Sequence, residues 1–302
     1  MSSSPSIGNV GIDVDKRNKR VKILMQYKFY HVNDFIDCTA DLINSTPEAE
    51  VLLQQGSARL SIRVVVPSEM PLKRFYLSRM AVREEARIRT PYGFDLVYVG
   101  GNTHGRRNET ERQIERSLAS NACLRSLPIH KPRGVTYHKL SYPIPAGDIE
   151  QLLEMYELCF MSYPFDLNEE FLQSATEKSI FVVARNQDEI IIASAIGESL
   201  QVGKLTLLEL SEQASHPLRR IPGAASYCSS TVVKIAKNEL PPPLVIYSES
   251  RMWDKALVMA PRIGLKGFAG ILHQHCRISS PPELTTLQNH GSYGSLAVFY
   301  TC

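Results

Sequence analysis

Residues 219–225 read Arg-Arg-Ile-Pro-Gly-Ala-Ala and open a segment with helical patterning. A helix start carries backbone N–H groups without partners and the positive end of the helix dipole, so it can hold an anion such as a pyrophosphate. Gly223 lets the backbone come close to such a group. Ile221, Gly223, Ala224 and Ala225 each keep an N–H to donate, and Arg219 and Arg220 add charge. Pro222 lacks an N–H, which costs no helix bond if it lies in the first helical turn. The same letters also suit an ordinary turn that opens a surface helix.

Glu209 and Glu212 stand just upstream. A carboxylate there can take the proton that an ammonium must lose before its nitrogen acts as a nucleophile. They are three apart, so on a regular strand they point to opposite faces, and only a bulge would change that. Arg251 can hold a carboxylate with two parallel hydrogen bonds, or pair with Glu249 or Asp254. His273 and His275 share a face of a predicted strand, yet no third metal ligand is evident and both read as structural. Cys228 reads as a small buried apolar residue inside a helix. The six cysteines include no Cys-x-x-Cys pair, so neither a zinc site nor a disulfide scaffold is indicated, and reduced thiols in the cytoplasm are expected. No metal is expected.

The elements that must position these groups follow from periodicity. The 302 residues are 43% hydrophobic and 22% charged, with net charge +3, as in a soluble globular protein of one or two domains. There is no long apolar run and no apolar leader, so no membrane association is expected. Residues 1–130 carry 19 Lys and Arg against 14 Asp and Glu. The block Lys16-Arg17-Asn18-Lys19-Arg20 lacks interleaved aromatics, and it reads as a solvated, partly disordered segment rather than a nucleic-acid contact. The Pro- and Gly-bearing stretch 127–134 divides the chain into 1–130 and 131–302.

In the first part, strands are predicted at 21–30, 58–66 and 94–99, and helices at 32–43 and 109–119. This is a small α+β domain of unassigned role. Arg59, Ser61 and Arg63 alternate with apolar residues, as on a half-buried strand. Residues 100–105 are glycine-rich, lack the Gly-Lys-Ser/Thr ending of a phosphate loop, and read as a loop or hairpin turn. In the second part, a strand at 135–140 precedes a helix capped by Asp148 and running to about Phe160. A second helix at 169–178 is capped by Asn168. Strands at 180–185, 190–198 and 205–213 follow, then the turn at 216–223 and a helix at 224–237. A strand at 244–248, a helix at 254–262 ending at Gly264, and strands at 267–278 and 295–302 complete the order.

That order resembles the GNAT acyltransferase fold, whose central feature is a Gln/Arg-x-x-Gly-x-Gly/Ala turn between the fourth strand and the next helix. Arg220-Ile221-Pro222-Gly223-Ala224-Ala225 fits it in the matching place. The resemblance is closest to the β-lysine N-acetyltransferase-like group. There an acidic strand runs into the turn, as Glu209-Leu210-Ser211-Glu212-Gln213-Ala214-Ser215 does here, and a Tyr-Pro-Phe like Tyr163-Pro164-Phe165 lies between the first two helices. Arg251, Gly264 and Gly270-Ile271-Leu272 follow the same spacing. The first glycine of the usual turn is Ile221 here, and the family's common tyrosine acid has no counterpart at 253–262.

The resemblance implies a mixed, splayed central sheet flanked by helices, preceded by the smaller α+β domain. It implies acetyl-CoA as cofactor, with pantetheine along Gln213, Ala214 and Ser215 and phosphates at the turn. It implies acetyl transfer to a primary amine of a small molecule, such as an amino acid, with Glu212 or Glu209 as base and Tyr163, Phe165 and Arg251 lining the acceptor pocket. Acceptors on a protein, peptide or carrier, and a GNAT-like module that binds without catalysis, are the alternatives.

Overall fold

A computed structural model describes residues 10–302 except 17, 57, 73, 78, 79, 104–110, 126, 128, 161–166, 253–256 and 278–292. The fold is mixed α+β, with a central mixed sheet flanked by helices.

The first half begins with a hairpin, β1 (Val10–Asp15) and β2 (Arg20–Lys28). Its turn is fastened by Asp15, whose carboxylate accepts from the Asn18 backbone N–H at 3.0 Å, from Asn18 Nδ2 at 2.7 Å and from Arg20 at 3.0 Å. Part of the basic block is therefore not solvated: Asn18 and Arg20 are buried against that carboxylate, while Lys16 is exposed as expected. Helices α1 (Val32–Asn44) and α2 (Pro47–Gln54) follow. Phe35, Ile43, Leu52 and Leu53 on them bury the outward side of β2 and of β3 (Arg59–Pro67), packing on Ile23, Met25, Leu60, Ile62 and Val64. A short β4 (Phe75–Leu77) pairs with β5 (Met80–Ile88), which pairs with β6 (Phe94–Asn102). Helix α3 (Glu111–Arg125) leads into the second half.

There β7 (Thr136–Lys139) starts the expected succession: α4 (Ala146–Cys159), α5 (Glu169–Lys178), β8 (Ser179–Arg185), β9 (Ile191–Val202), β10 (Leu205–Ser215), α6 (Ala224–Glu239) and β11 (Leu244–Arg251). A short α7 (Met259–Arg262), β12 (Gly267–Arg277) and β13 (Tyr293–Thr301) complete the chain. Asn168 caps α5 as expected, accepting from the Phe171 N–H at 2.9 Å. Asp148 does not cap α4. Pro145 holds the cap position, and Asp148 sits in the first turn, where it pairs with Arg185 at 2.6 Å. Gly264 ends α7 at φ 100°, in the left-handed region that glycine adopts without strain.

The strand order is β1-β2-β3-β6-β5-β12-β13-β11-β10-β9-β8-β7, one continuous sheet across both halves. The halves join where β5 meets β12, with Ala86 opposite Gly270. From there the sheet folds over itself. Val65, Ala86, Ile88, Leu96 and Tyr98 of the first half share a core with Leu205, Leu207, Val245, Tyr247 and Val298 of the second.

This arrangement corrects two sequence readings. β3 is buried along its whole length, not half-buried. Its polar positions Arg59, Ser61 and Arg63 face the second half rather than water. Gly100 and Gly101 belong to β6, not to a loop. A Cβ at Gly100 would collide with Glu85 and Arg59, so its bare backbone makes room for that buried pair.

Candidate functional site

The decisive local feature is a bulge in β10. Ser211 pairs with Ile196 and Ala214 with Ser194, so Glu212 and Gln213 together oppose the single residue Ala195. Glu212 takes φ 41°, a left-handed conformation that costs a non-glycine residue on the order of 1 kcal/mol. The extra residue reverses which side each later residue faces. Before the bulge, Leu208 and Leu210 pack on the α6 side, and Glu209 points the other way. After it, Ala214 packs on the α4 side with Tyr156 and Ile196. Gln213 turns to α6, accepting from Ser229 Oγ at 2.8 Å and donating to Ser248 Oγ at 3.1 Å. Glu212 lies within electrostatic reach of Tyr156 and of Lys22, so its carboxyl is on the same side as Glu209.

The bulge coincides with a splay. β10 and β11 run parallel in register from Thr206–Leu244 to Leu210–Ser248, and the pairing ends there. Beyond Leu210 the β11-facing edge of β10 has left the ladder, which suits addition of an extended ligand such as pantetheine along Gln213, Ala214 and Ser215. On this stretch the Ser215 carbonyl accepts from the Cys159 thiol at 3.3 Å.

Helix α6 starts at the foot of the splay. Gly223 is its cap residue, at φ 88°. Pro222 therefore precedes the helix and is exposed, rather than lying in the first helical turn. The Ala224 N–H is taken by the Ile221 carbonyl at 3.1 Å, so the turn itself uses one donor that the sequence reading counted for an anion. Ala225 remains in the first turn, where no carbonyl four residues back lies within the helix. Arg219 and Arg220 are exposed beside it, Arg219 with Glu154 at 3.9 Å. Helix α6 lies tight on the sheet, because a Cβ at Gly197 would strike Val232 and Leu208. The residues at hand thus fit a phosphate-bearing chain laid along β10 and ending at α6.

The surface facing Glu209 is supplied by the first half. Arg63 Nη1 donates to Glu209 and, at 2.7 Å, to Tyr247 Oη, which itself donates to Glu209 at 3.2 Å. Burial alone would raise the Glu209 carboxyl. Arg63, Lys22 and these hydrogen bonds outweigh it and hold Glu209 below the ordinary carboxylate range. At Glu212 burial dominates, with Lys22 opposing it only in part, and the carboxyl is pushed up to about 8. Glu249 is raised by burial and by Glu209. The two glutamates three apart in sequence therefore differ in charge state near neutral pH.

Arg251 ends β11 opposite Leu296 and is half-buried, near enough to Cys159 to act on its thiol. Tyr163 and Phe165 fall outside the described residues. His273 and His275 are buried, but in polar company. His273 Nδ1 lies 3.2 Å from Glu115, and Arg59 donates to His275 Nδ1 at 3.3 Å and to the His273 carbonyl at 2.7 Å. Among the described residues, no group of three or more His, Cys, Asp or Glu is placed to hold a metal ion. Cys228 is buried in the α6 core and burial pushes its thiol up, so it is no nucleophile. The sequence reading missed Lys22, Arg63 and Tyr98. The signal for Arg63 was the polar residues at every second position of β3, Arg59, Ser61 and Arg63, which here mark an interior polar face, whereas no such alternation singles out Lys22 or Tyr98.

No protein-family model matches the chain, and no curated protein matches it. Among solved structures, Arabidopsis thaliana Naa50, in complex with a bisubstrate analogue of CoA, aligns over 56% of this chain and 99% of its own at 12% identity and TM-score 0.41. A GNAT superfamily phosphinothricin acetyltransferase from Sinorhizobium meliloti, in complex with AcCoA, aligns over 56% and 88% at 14% identity and TM-score 0.42. The ribosomal-protein-S18-alanine N-acetyltransferase of Escherichia coli aligns over 55% and 92% at 13% identity and TM-score 0.39. No helix among the described residues is long and apolar enough to cross a membrane.

Proposed function

We propose that this protein is an acetyl-CoA-dependent N-acetyltransferase acting on a primary amine of a small molecule, with Glu212 as general base. The observation that carries the reading is the bulge at Glu212–Gln213, which brings a buried carboxyl raised to about 8 to the splay between β10 and β11, above the start of α6.

Gln213, Ala214 and Ser215 would hold pantetheine by their backbone. Gly223 and Ala225, with Ile221, Arg219 and Arg220, would hold the phosphates, and Ala224 would close the turn. Arg251 would line the acceptor end. Acetyl-CoA supplies the acetyl group as a thioester. The acceptor enters as an ammonium and has no lone pair until it loses a proton. Ionised Glu212 takes that proton. The amine nitrogen would then form its bond to the acetyl carbon, the carbon–sulfur bond would break, and the second proton that the nitrogen sheds on becoming an amide would pass to the departing thiolate, giving CoA as a thiol. A base of pKa near 8 suits amine deprotonation better than Glu209, whose paired carboxylate holds a proton only weakly.

A small acceptor is favoured over a protein because Arg63 and Tyr98 cover the face on which Glu209 lies. Incubation of the purified protein with acetyl-CoA and a panel of amines, read by mass spectrometry, tests the assignment. An amine gaining one acetyl group, at a rate at least a hundredfold lower in Glu212→Gln, is expected. CoA release that never depends on an added amine would sink it.

A further inference from the structure

Past Leu210–Ser248, the last rung of the β10–β11 ladder, a side chain bridges the two strands. The Gln213 carboxamide reaches from the bulge to β11 and to α6 together. Its Nε2 donates to Ser248 Oγ at 3.1 Å and to the Leu210 carbonyl at 3.4 Å, and its Oε1 accepts from Ser229 Oγ at 2.8 Å. The Leu210 carbonyl can only accept, so the amide cannot turn over. Ser229 and Ser248 are fully buried. Swinging the carboxamide aside would break all three bonds, and a buried polar group left without its bond costs about tenfold in equilibrium. The bridge is therefore stiff.

It also lies at the closed end of the splay. The turn read as the phosphate site follows Ser215 in the chain. A cofactor laid from that turn along β10 would pass Ser215 first and Gln213 last, and its acyl group would stop against the Gln213 carboxamide and the Leu210–Ser248 rung. A longer hydrocarbon tail would press on a polar group that is held in place. Ser250 is an independent sign of a ligand at this wall. It lies two residues beyond Ser248 on β11, is 6% exposed, and its hydroxyl has no hydrogen-bond partner among the described residues. Its cross-strand neighbour Ala297 packs in the α6-side core, so Ser250 faces the same side as Ser248 and Gln213. A hydroxyl both donates and accepts, which suits the amides of a pantetheine arm.

We propose that the Gln213 carboxamide, held between Ser229 and Ser248, is the end wall of the acyl pocket and restricts the enzyme to the two-carbon acetyl group, with Ser250 bonded to the pantetheine arm beside it. The proposal rests on the acetyltransferase reading and specifies its donor. It gives the Gln213 side chain a task separate from that of its backbone, which lies along the arm.

Calorimetry of the full-length protein with acetyl-CoA, propionyl-CoA and butyryl-CoA, in the absence of any amine, decides it. The native protein is expected to bind acetyl-CoA at least about tenfold more tightly than butyryl-CoA, as one or two surplus methylenes in a fixed pocket allow. Gln213→Ala removes the wall and should bring that ratio toward one. Gln213→Asn draws the wall back by one methylene, keeps an amide as a guard against loss of the fold, and should admit propionyl-CoA. A general disturbance of the structure would weaken all three thioesters alike and leave their ratio where it was. Ser250→Ala should weaken all three severalfold without changing the preference. Equal native affinity for the three, or a native ratio that persists in both Gln213 variants, would overturn the proposal. Repeating the series with the amine panel separates the two readings. Acetyl preference in binding with no transfer to any amine would leave the pocket standing and remove the catalytic assignment. Transfer of acetyl and butyryl groups at equal rates would do the reverse, and failure to bind any thioester would remove both.

Discussion

Arg63 of β3 and Glu209 of β10 form an ion pair across the seam, with Tyr247 Oη bonded to both. The first half thereby sets the charge of a carboxylate that belongs to the second. Burial works to push the Glu209 carboxyl up, and Arg63 leads the groups that hold it low.

Breaking that pair from one side should be costly. Arg63→Met leaves the Glu209 charge in a mostly buried place, and a loss of about 3 kcal/mol in unfolding free energy is expected. Adding Glu209→Gln should restore much of it, because no lone charge remains. Urea midpoints of the two variants measure this. Equal midpoints for Arg63→Met and the native protein would show that the pair holds nothing together.

Glu212 should give the reaction a pH limb. As a base raised to about 8, it must lose its own proton before it can take another, so log kcat/KM should climb with pH up to about 8 and then level off. Stability should move the opposite way. The folded state holds this proton more tightly than the unfolded chain, whose glutamate titrates near 4.5, so the contribution is complete below about 4.5 and is lost as pH rises through 8. Glu212→Gln keeps its shape without the charge. Its melting temperature should exceed that of the native protein at pH 9 and match it at pH 5, and a gap of the same size at both values would rule this account out.

Gly197→Ala should destabilise by about 1–3 kcal/mol, since the added methyl group meets Val232 on α6 and Leu208 on β10. Pairing it with Val232→Ala, which shortens the opposing side chain, should recover part of the loss. Thermal melts of the two single variants and the double are sufficient. Strict additivity would mean that the two positions do not touch.

At Gly223 the reason for glycine is conformational rather than spatial. Its φ is 88°, while a Cβ there would meet only Pro132 Cγ, at an ordinary 3.6 Å. Gly223→Ala should therefore cost about 1 kcal/mol. Because the strain falls on the start of α6, CoA binding by calorimetry should weaken severalfold. Unchanged CoA affinity in a variant that melts lower would separate this turn from the cofactor.

Much of the second half was legible because its elements obey local rules. The runs in β8 to β11 alternate or stay apolar as strands must, Asn168 caps as Asn does, and Gly264 stops a helix as glycine does. The first half was harder. β5 carries Arg83, Glu84, Glu85 and Arg87, a pattern that suggests water or a helix, yet Glu85 is buried because Arg59 waits for it. Long-range partners of that kind leave no trace in a local window. The bulge at Glu212 belongs to the same class, since it exists only in the pairing of β10 with β9. Asp148 was misread for a smaller reason. It lies three residues beyond the cap, where an acidic side chain also suits the helix dipole, and Arg185 claims it.

The meeting of β5 with β12 has a bearing on how the chain is made. Synthesis runs from the first residue onward, and domains tend to fold as they emerge. β1, β2, β3 and β6 can pair as soon as they leave the ribosome. β5 cannot finish: its outer edge awaits Gly270 and its neighbours on β12, which are translated after nearly all of the second half. Arg63 likewise waits for Glu209, with an unpaired charge on a strand destined for the interior. A nascent chain thus carries an open strand edge and a stranded cation through most of translation, which is a natural point of engagement for chaperones.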